Sequence, residues 1–412
     1  MKLKLWVKIL IGLVAGVVIG LVLGPKGEYL KPVGSIFLNL INMLVILLVF
    51  SSMTVGITSI HDPQKLGRVG LKTLFLYLVT TAIAIIIGLV FAKAMHPGVG
   101  IGLKGISTTQ LGDLPKISNI LLTIVPNNPI KALAEGHVLQ IIVFSIFLGI
   151  AINLAGHKAL PLLNFLEALA EVMYKLTEIV MQFAPYGVCA IMAWVAGSFG
   201  VEILLPLMKF LMCNYLACIF HVVVVYGGLL LFAVKLNPFH FVKGMGDAIA
   251  FAFTTNSSSA TLPVSLHCVQ ENLGVSKNLS SFILPLGATV NMNGAAIAQA
   301  VSAVFIAQAY GIDLSWEALL MIVVTATLSS IGAAGIPGTG FVMLSVVLSS
   351  VGLPLEGLAL IAGVDRVREM VSTVVNIMGD AVVAVVVAKN EGELDEDQYN
   401  HAELVAMEES DV

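Results

Sequence analysis

Apolar residues come in long runs along this chain, not in the alternating or one-sided patterns of a water-soluble fold. The runs extend from Leu5 to Leu23, Ile36 to Met53, Leu74 to Ala92, Ile141 to Leu154, Leu211 to Val234, Ile283 to Ala309, Leu319 to Ser330 and Val374 to Ala388. Each forms all or part of a helix of the roughly 20 residues needed to cross a bilayer. The first run is too long for the apolar segment of a secretory leader, and further runs follow it, so it reads as a retained first helix. Lys2, Lys4 and Lys8 precede it, and Lys65, Arg68 and Lys72 follow the second run. Basic residues gather on the cytoplasmic side, which places the amino terminus inside. The pattern predicts an all-α polytopic membrane protein.

Two segments break the pattern inside apolar flanks, 251–263 (FAFTTNSSSATLP) and 328–340 (LSSIGAAGIPGTG). Clusters of Gly, Pro and hydroxyl residues cannot hold a lipid-exposed helix, but irregular backbone is tolerated at membrane depth where protein or a water-filled cavity surrounds it. Two re-entrant hairpins satisfy that condition. A weak internal repeat supports them: VNMNGA at 290–295 follows the first break and VNIMGD at 375–380 the second, so that Asn291 matches Asn376 and Gly294 matches Gly379. Paired interrupted segments in corresponding halves mark a transporter with its site near the midplane. Elsewhere Glu167, Glu171, Lys175 and Glu178 recur at helical spacing, which predicts a helix with one wet or protein-facing side.

Composition agrees with the pattern. Of 412 residues 58% are apolar and 11% charged, too little polar surface for a soluble globule. The net charge of −4 hides an asymmetry, because residues 390–412 hold nine carboxylates and no Lys or Arg. That block reads as a flexible, solvated tail dispensable to the fold. No basic patch points to nucleic acid. Cys189, Cys213, Cys218 and Cys268 lie in apolar surroundings without metal-ligand spacing and read as buried hydrophobes.

The last run carries Asp365, Arg366, Arg368, Glu369, Ser372, Thr373, Asn376 and Asp380 just before or within it. Ionisable groups at such depth cost about 3 kcal/mol each unless paired or hydrated, so they carry a functional reading. Glu369, Thr373, Asn376 and Asp380 share one helical face. The competing structural reading pairs Asp365 or Glu369 with Arg366 and Arg368, but it leaves Asn376 and Asp380 without a partner. A bound cation answers for them: Na⁺ is a hard ion held by carboxylate, amide and carbonyl oxygens, and Asn291, Asn376 and Asp380 supply two of these types. Unwound backbone at Gly287 and Gly294 offers carbonyls, and helix ends at the hairpin tips attract a carboxylate.

At these residues the sequence resembles the sodium:dicarboxylate symporter family, which spans archaeal aspartate transporters, mammalian glutamate transporters, neutral amino acid exchangers and bacterial dicarboxylate carriers. The likeness runs nearly end to end and is most specific at 257–263 (SSSATLP), 285–294 (PLGATVNMNG), 330–338 (SIGAAGIPG) and 376–380 (NIMGD). It implies a homotrimeric, elevator-type secondary transporter and no enzyme. Each protomer would have eight transmembrane helices, two opposed re-entrant helical hairpins and inverted repeats. By that resemblance residues 1–66 hold scaffold helices 1 and 2, 67–96 helix 3 of the transport domain, and 97–200 scaffold helices 4 and 5. Residues 201–389 then hold the remaining transport domain (helix 6, hairpin 1, helix 7, hairpin 2, helix 8), and 390–412 an acidic cytoplasmic tail. The protein would be multi-pass in the inner (plasma) membrane with both termini in the cytoplasm.

The resemblance also implies sites. One Na⁺ set falls on Gly287, Asn291, Asn376 and Asp380. A second falls on Thr289, Ser330, Ile331 and Ala333, and a third on Tyr77, Thr80, Thr81, Asn291 and Asn293, where Asn293 replaces the family's usual Asp. The solute, a small amino acid, is expected against Asn256, Ser257, Ser258, Ala295, Ile336, Gly340, Glu369, Ser372, Thr373 and Asn376, with 336–340 as the outer gate. Ser372 stands where the family carries the arginine that grips an acidic side chain, and Ala295 stands at its threonine partner, whereas Glu369 keeps a carboxylate for the substrate amine. A neutral amino acid carried with Na⁺ is therefore the leading expectation. Arg366 or Arg368 leaves open an acidic amino acid or dicarboxylate, with Na⁺ or H⁺, because either swings towards the cavity or neutralises Glu369.

Two other classes compete. An intramembrane hydrolase would use a serine of 257–259 with His267 as its base, but no acidic residue lies beside His267 to orient it. A passive channel shares the polar membrane residues and differs in lacking stoichiometric coupling.

Overall fold

The computed structural model describes residues 5–58, 67–101, 125–199, 204–330, 339–362 and 364–400. Among the described residues every regular element is helical, and the only strand-like pairing is a bridge between Val275 and Leu394. The elements used below are α1 (Leu5–Leu23), α2 (Lys31–Thr58), α3 (Gly67–Met95), α4 (Val138–Ala155), α5 (Leu160–Met181), α6 (Ala184–Phe199), α7 (Leu204–Phe220) and α8 (Gly246–Thr255). They continue with α9 (Ser258–His267), α10 (Lys277–Val290), α11 (Asn293–Tyr310), α12 (Trp316–Ser330), α13 (Thr339–Ser350), α14 (Asp365–Glu391) and α15 (Glu396–Asn400).

Among the described residues six helical stretches are long and apolar enough to cross a membrane: 11–37, 69–95, 140–176, 205–233, 277–310 and 365–391. Three of them, 11–37, 140–176 and 277–310, join two helices end to end. The chain is thus a multi-pass membrane protein, and the prediction of an all-α polytopic fold holds.

Two packing groups emerge. In the first, α2 lies against α4, α5 and α6, while α1 lies along α6. Gly12, Gly16 and Gly20 repeat every fourth residue on α1, and a Cβ on them would come within 2.3, 2.4 and 2.4 Å of the backbone oxygens of Pro185, Cys189 and Ala193. In lipid, where no hydrophobic drive joins helices, such small-residue stripes let backbones approach and gain dispersion energy. On α5, Leu163, Leu166, Ala170 and Met173 turn inward while Glu167, Glu171 and Lys175 stay exposed, as their spacing predicts.

The second group centres on α11 and α14. α11 is buried almost throughout its length and packs on α3, α7, α12, α13 and α14; α14 also takes α8, α9 and α10 against it. α8 and α9 fold back on each other across Asn256 and Ser257, with Asn256 in the left-handed region at φ 55. α13 touches α2 and α4 of the first group. Cys213, Cys218 and Cys268 are buried thiols and Cys189 is half-buried, all four unbridged, as expected of hydrophobes.

One expectation fails. The acidic tail does not leave the fold at residue 390: α14 runs on to Glu391, and residues 393–400 dock on the bundle. Ser276 N–H donates to Glu393 O at 3.1 Å and Asp395 N–H to Gly274 O at 2.8 Å. Tyr399 is fully buried and donates its hydroxyl to Asn237 O at 3.0 Å. Charge counting missed this because it weighed the carboxylates and not Leu394 and Tyr399 between them. Residues 401–412 lie outside the described residues.

Candidate functional site

α10 and α11 are one apolar stretch broken at Asn291 and Met292, whose backbones (φ −111, ψ 65 and φ −93, ψ 56) leave the helical region. A break leaves carbonyls at the end of α10 and N–H groups at the start of α11 without intrahelical partners. Side chains from α14 meet them. Asn376 Oδ1 accepts the N–H of Gly294 at 2.7 Å, and its amide nitrogen sits 3.3 Å from Met292 Sδ. Asn291 donates its side-chain amide to Asp380 Oδ1 at 2.8 Å. Glycine makes this approach possible: a Cβ on Gly294 would lie 2.0 Å from Ser372 O, and one on Gly287 2.4 Å from Asp380 Oδ1.

The break is short of positive charge. Asp380 is buried among apolar α14 neighbours, and Asn291 Oδ1 is buried without a hydrogen-bond partner. A buried carboxylate beside an orphaned amide oxygen is costly unless a cation joins them. Of the set expected to hold Na⁺, Asn291 and Asp380 meet at the break with Asn376 beside them, whereas Gly287 lies inside α10 with its carbonyl accepting the N–H of Asn291 at 2.8 Å, so the unwound backbone expected there is not seen. Among the described residues no cluster of three or more His, Cys, Asp or Glu exists for a transition metal.

The third predicted ion set is also brought together, but as a closed hydrogen-bond network. Thr81 donates to Asn293 Oδ1 at 2.5 Å, and the Asn293 amide donates to Tyr226 Oη at 2.8 Å and to Thr80 Oγ1 at 3.2 Å. Tyr77 donates to Ile283 O at 2.9 Å. With Asn293 already engaged on both sides, this set offers an ion less than the first does. In the second set Thr289 and Ser330 each bond back to a carbonyl of their own helix, Leu286 O at 2.9 Å and Thr327 O at 2.7 Å; Ile331 and Ala333 lie outside the described residues.

Of the residues expected to hold solute, those of α8, α9 and α14 converge where these three helices pack together. Ser257 caps α9 by accepting the N–H of Ala260 at 3.1 Å, and Ser258 is buried behind it. Asn256 donates its side-chain amide to Arg366 O at 3.1 Å. Glu369 Oε1 lies 4.0 Å from where a Cβ on Gly340, near the start of α13, would sit. Thr373 donates to Glu369 O at 2.9 Å and Ser372 to Arg368 O at 3.3 Å. Ala295 is partly buried against the apolar core, with its N–H 3.4 Å from Asn376 Oδ1; Ile336 lies outside the described residues. Both arginines are paired: Arg368 Nε donates to Asp365 Oδ1 at 2.9 Å, and Arg366 donates to Glu369 Oε2 at 3.0 Å.

A model of the sodium:dicarboxylate symporter family matches residues 5–390. The chain belongs to that family. This family member is a membrane transporter and not an enzyme. It is 38% identical over 385 residues, covering 91% of both chains, to the proton/sodium-glutamate symport protein of Geobacillus stearothermophilus. It is 36% identical to the proton/glutamate-aspartate symporter of Escherichia coli (strain K12), over 89% of this chain and 86% of the other. It is 35% identical to the C4-dicarboxylate transport protein of Rhodospirillum rubrum, over 96% of this chain and 90% of the other. In this symporter the hydrolase reading loses its ground, and Ser257 serves as a helix cap.

Sequence reasoning missed Tyr226, which bridges Asn293 and Val375 O at 3.0 Å, and Met292 beside Asn376. A tyrosine inside an apolar run was the available signal, since its hydroxyl must find a buried partner.

Proposed function

We propose that this symporter couples uptake of a small amino acid, neutral in its side chain, to inward flow of Na⁺ through the plasma membrane. The carrying observation is the acceptor-rich break at Asn291 and Asp380, where a cation completes the bonding that α10 and α11 gave up. A cation there stiffens the α10–α11–α14 junction next to Asn376 and Gly294, and that junction borders the solute cluster. Ion and solute binding then reinforce each other, as linkage requires. Glu369 takes the α-ammonium, while Ser258, Thr373 and Asn376 take the α-carboxylate. A neutral side chain is favoured because Ser372 and Ala295 carry no charge and both arginines already have carboxylate partners.

In this reading α3 and α7–α14 move as a transport domain against α1, α2 and α4–α6 in each protomer of a homotrimer, with α8–α9 and α12–α13 as re-entrant hairpins among eight spans. Both termini face the cytoplasm.

A second reading has support of its own. The names of the similar proteins favour glutamate, aspartate or a C4-dicarboxylate, with H⁺ as well as Na⁺, and Arg366 is the group that would receive the extra carboxylate. Proteoliposomes test both. Uptake of radiolabelled serine or alanine driven by an inward Na⁺ gradient supports the first, and uptake of aspartate or succinate supports the second. Uptake indifferent to collapse of both Na⁺ and H⁺ gradients rejects symport altogether.

A further inference from the structure

The two arginines of α14 differ in how much of each is spent. Arg368 commits both Nε and a terminal nitrogen to Asp365 and is buried with it. Turning it elsewhere would strand a buried carboxylate, which costs several kcal/mol. Arg366 commits one terminal nitrogen to Glu369, while its Nε is buried with no hydrogen-bond partner. Beside it, Asn256 donates its amide nitrogen to the carbonyl of Arg366 itself, and Asn256 Oδ1 is likewise buried without a partner. An unused donor and an unused acceptor thus lie at the same corner, where the α8–α9 turn is stitched to α14 next to Glu369. Buried polar groups without partners are rare and ask for an explanation.

We infer that Arg366 and Asn256 form the subsite that reads the solute's side chain, and that it selects a neutral side chain carrying both a donor and an acceptor, a hydroxyl or a carboxamide. This rests on the amino acid symport reading above and deepens it. Arg366 Nε donates to the side-chain oxygen, and Asn256 Oδ1 accepts from the side-chain O–H or N–H. Charge balance excludes a carboxylate here: Glu369 already neutralises Arg366, and Asn256 Oδ1 would face a second acceptor. Glu369 keeps Oε2 on Arg366 and, as a carboxylate that accepts several hydrogen bonds, also serves the α-ammonium. It also explains how the site reads a polar side chain with Ser372 in the place of the family's arginine. The Ser372 hydroxyl is turned onto Arg368 O, and the reading group moves to the other side of Glu369.

The test is calorimetric titration of the purified full chain in detergent with Na⁺, using serine, asparagine, alanine, aspartate and succinate as probes. Serine or asparagine should bind about tenfold or more tighter than alanine, because a site built for hydrogen bonds penalises a solute that leaves them unmade. Asn256→Ala should bring serine and alanine to within about threefold of each other. Arg366→Lys, which keeps the charge for Glu369 but removes Nε, should do the same and guards against misfolding of the first variant. Equal affinity for alanine and serine in the unaltered chain overturns the subsite. Tightest binding of aspartate or succinate, still cation-dependent, overturns the subsite while leaving symport intact. Failure of every probe to bind with either Na⁺ or lowered pH strikes the symport reading itself.

Discussion

The side-chain amide of Asn291 donates to Asp380 at 2.8 Å, across the point where α10 stops and α11 has not begun. The bond ties the break after α10 to the matching segment 375–380, which unlike the first stays helical within α14, and Asn291 Oδ1 beside it is buried without a hydrogen-bond partner. If a cation fills that gap, Asp380→Asn removes the charge that holds it while keeping the size of the side chain. Solute affinity measured by calorimetry should then lose its dependence on Na⁺, with coupling falling from a range of about 5 to 150-fold to near unity. Cation dependence as strong as in the unaltered chain would reject the assignment of Asp380 as a ligand.

Gly294 sets how closely α11 and α14 meet. A methyl there would have to occupy space 2.0 Å from Ser372 O, and neither backbone can withdraw without breaking the Gly294 to Asn376 hydrogen bond. Gly294→Ala should destabilise the protein by about 2 kcal/mol or more. Thermal unfolding in detergent reads this directly, and solute should protect the variant less than the unaltered chain.

Ser372 is buried and its hydroxyl is spent on its own helix. Ser372→Arg would restore a cation at the position where the resemblance expects one, next to Glu369 and within reach of the solute cluster. Competition against radiolabelled uptake should show aspartate or glutamate gaining on serine by about tenfold or more, the scale of a charge-assisted hydrogen bond. An unchanged order of competitors would mean that position 372 does not face the solute.

Much of this was legible beforehand because the membrane makes sequence outspoken. An amide or carboxylate inside an apolar run is costly, so Asn291, Asn376 and Asp380 marked themselves, as did the serines at the turn between α8 and α9. What stayed hidden depended on partners distant in sequence. Nothing local reveals that Arg366 would be held by Glu369 on one side and stitched to Asn256 on the other, or that Asn293 would be saturated by Thr80, Thr81 and Tyr226. The glycine stripe of α1 went unread, since its meaning lies in its partner α6, which nothing local reveals. The tail misled for a related reason: charge density described its solvated face, while the outcome was set by one tyrosine and a few backbone bonds.

That tyrosine gives the last test. Tyr399 is buried where residues 393–400 close over the connection between α9 and α10, and just before that segment the end of α14 is tied to α3 by the Lys72 to Glu391 ion pair at 2.6 Å. The strap and the end of α14 therefore gather the neighbouring ends of α3, α10 and α14. Tyr399→Ala removes a fully buried ring and its bond to Asn237 O, and should cost about 3 kcal/mol; Tyr399→Phe loses only the hydroxyl and should cost about 1 kcal/mol. Burial pushes the Tyr399 phenol above its ordinary value of 10.0. The neutral form is thus favoured in the folded state, and the strap's contribution is complete below that value and declines as pH rises past it. Hydrogen exchange at 393–400 and 270–276 should accelerate together in Tyr399→Ala, because one set of bonds protects both segments. If only 393–400 loosens while 270–276 and thermal stability stay unchanged, the strap is an ornament on the bundle and not a part of it.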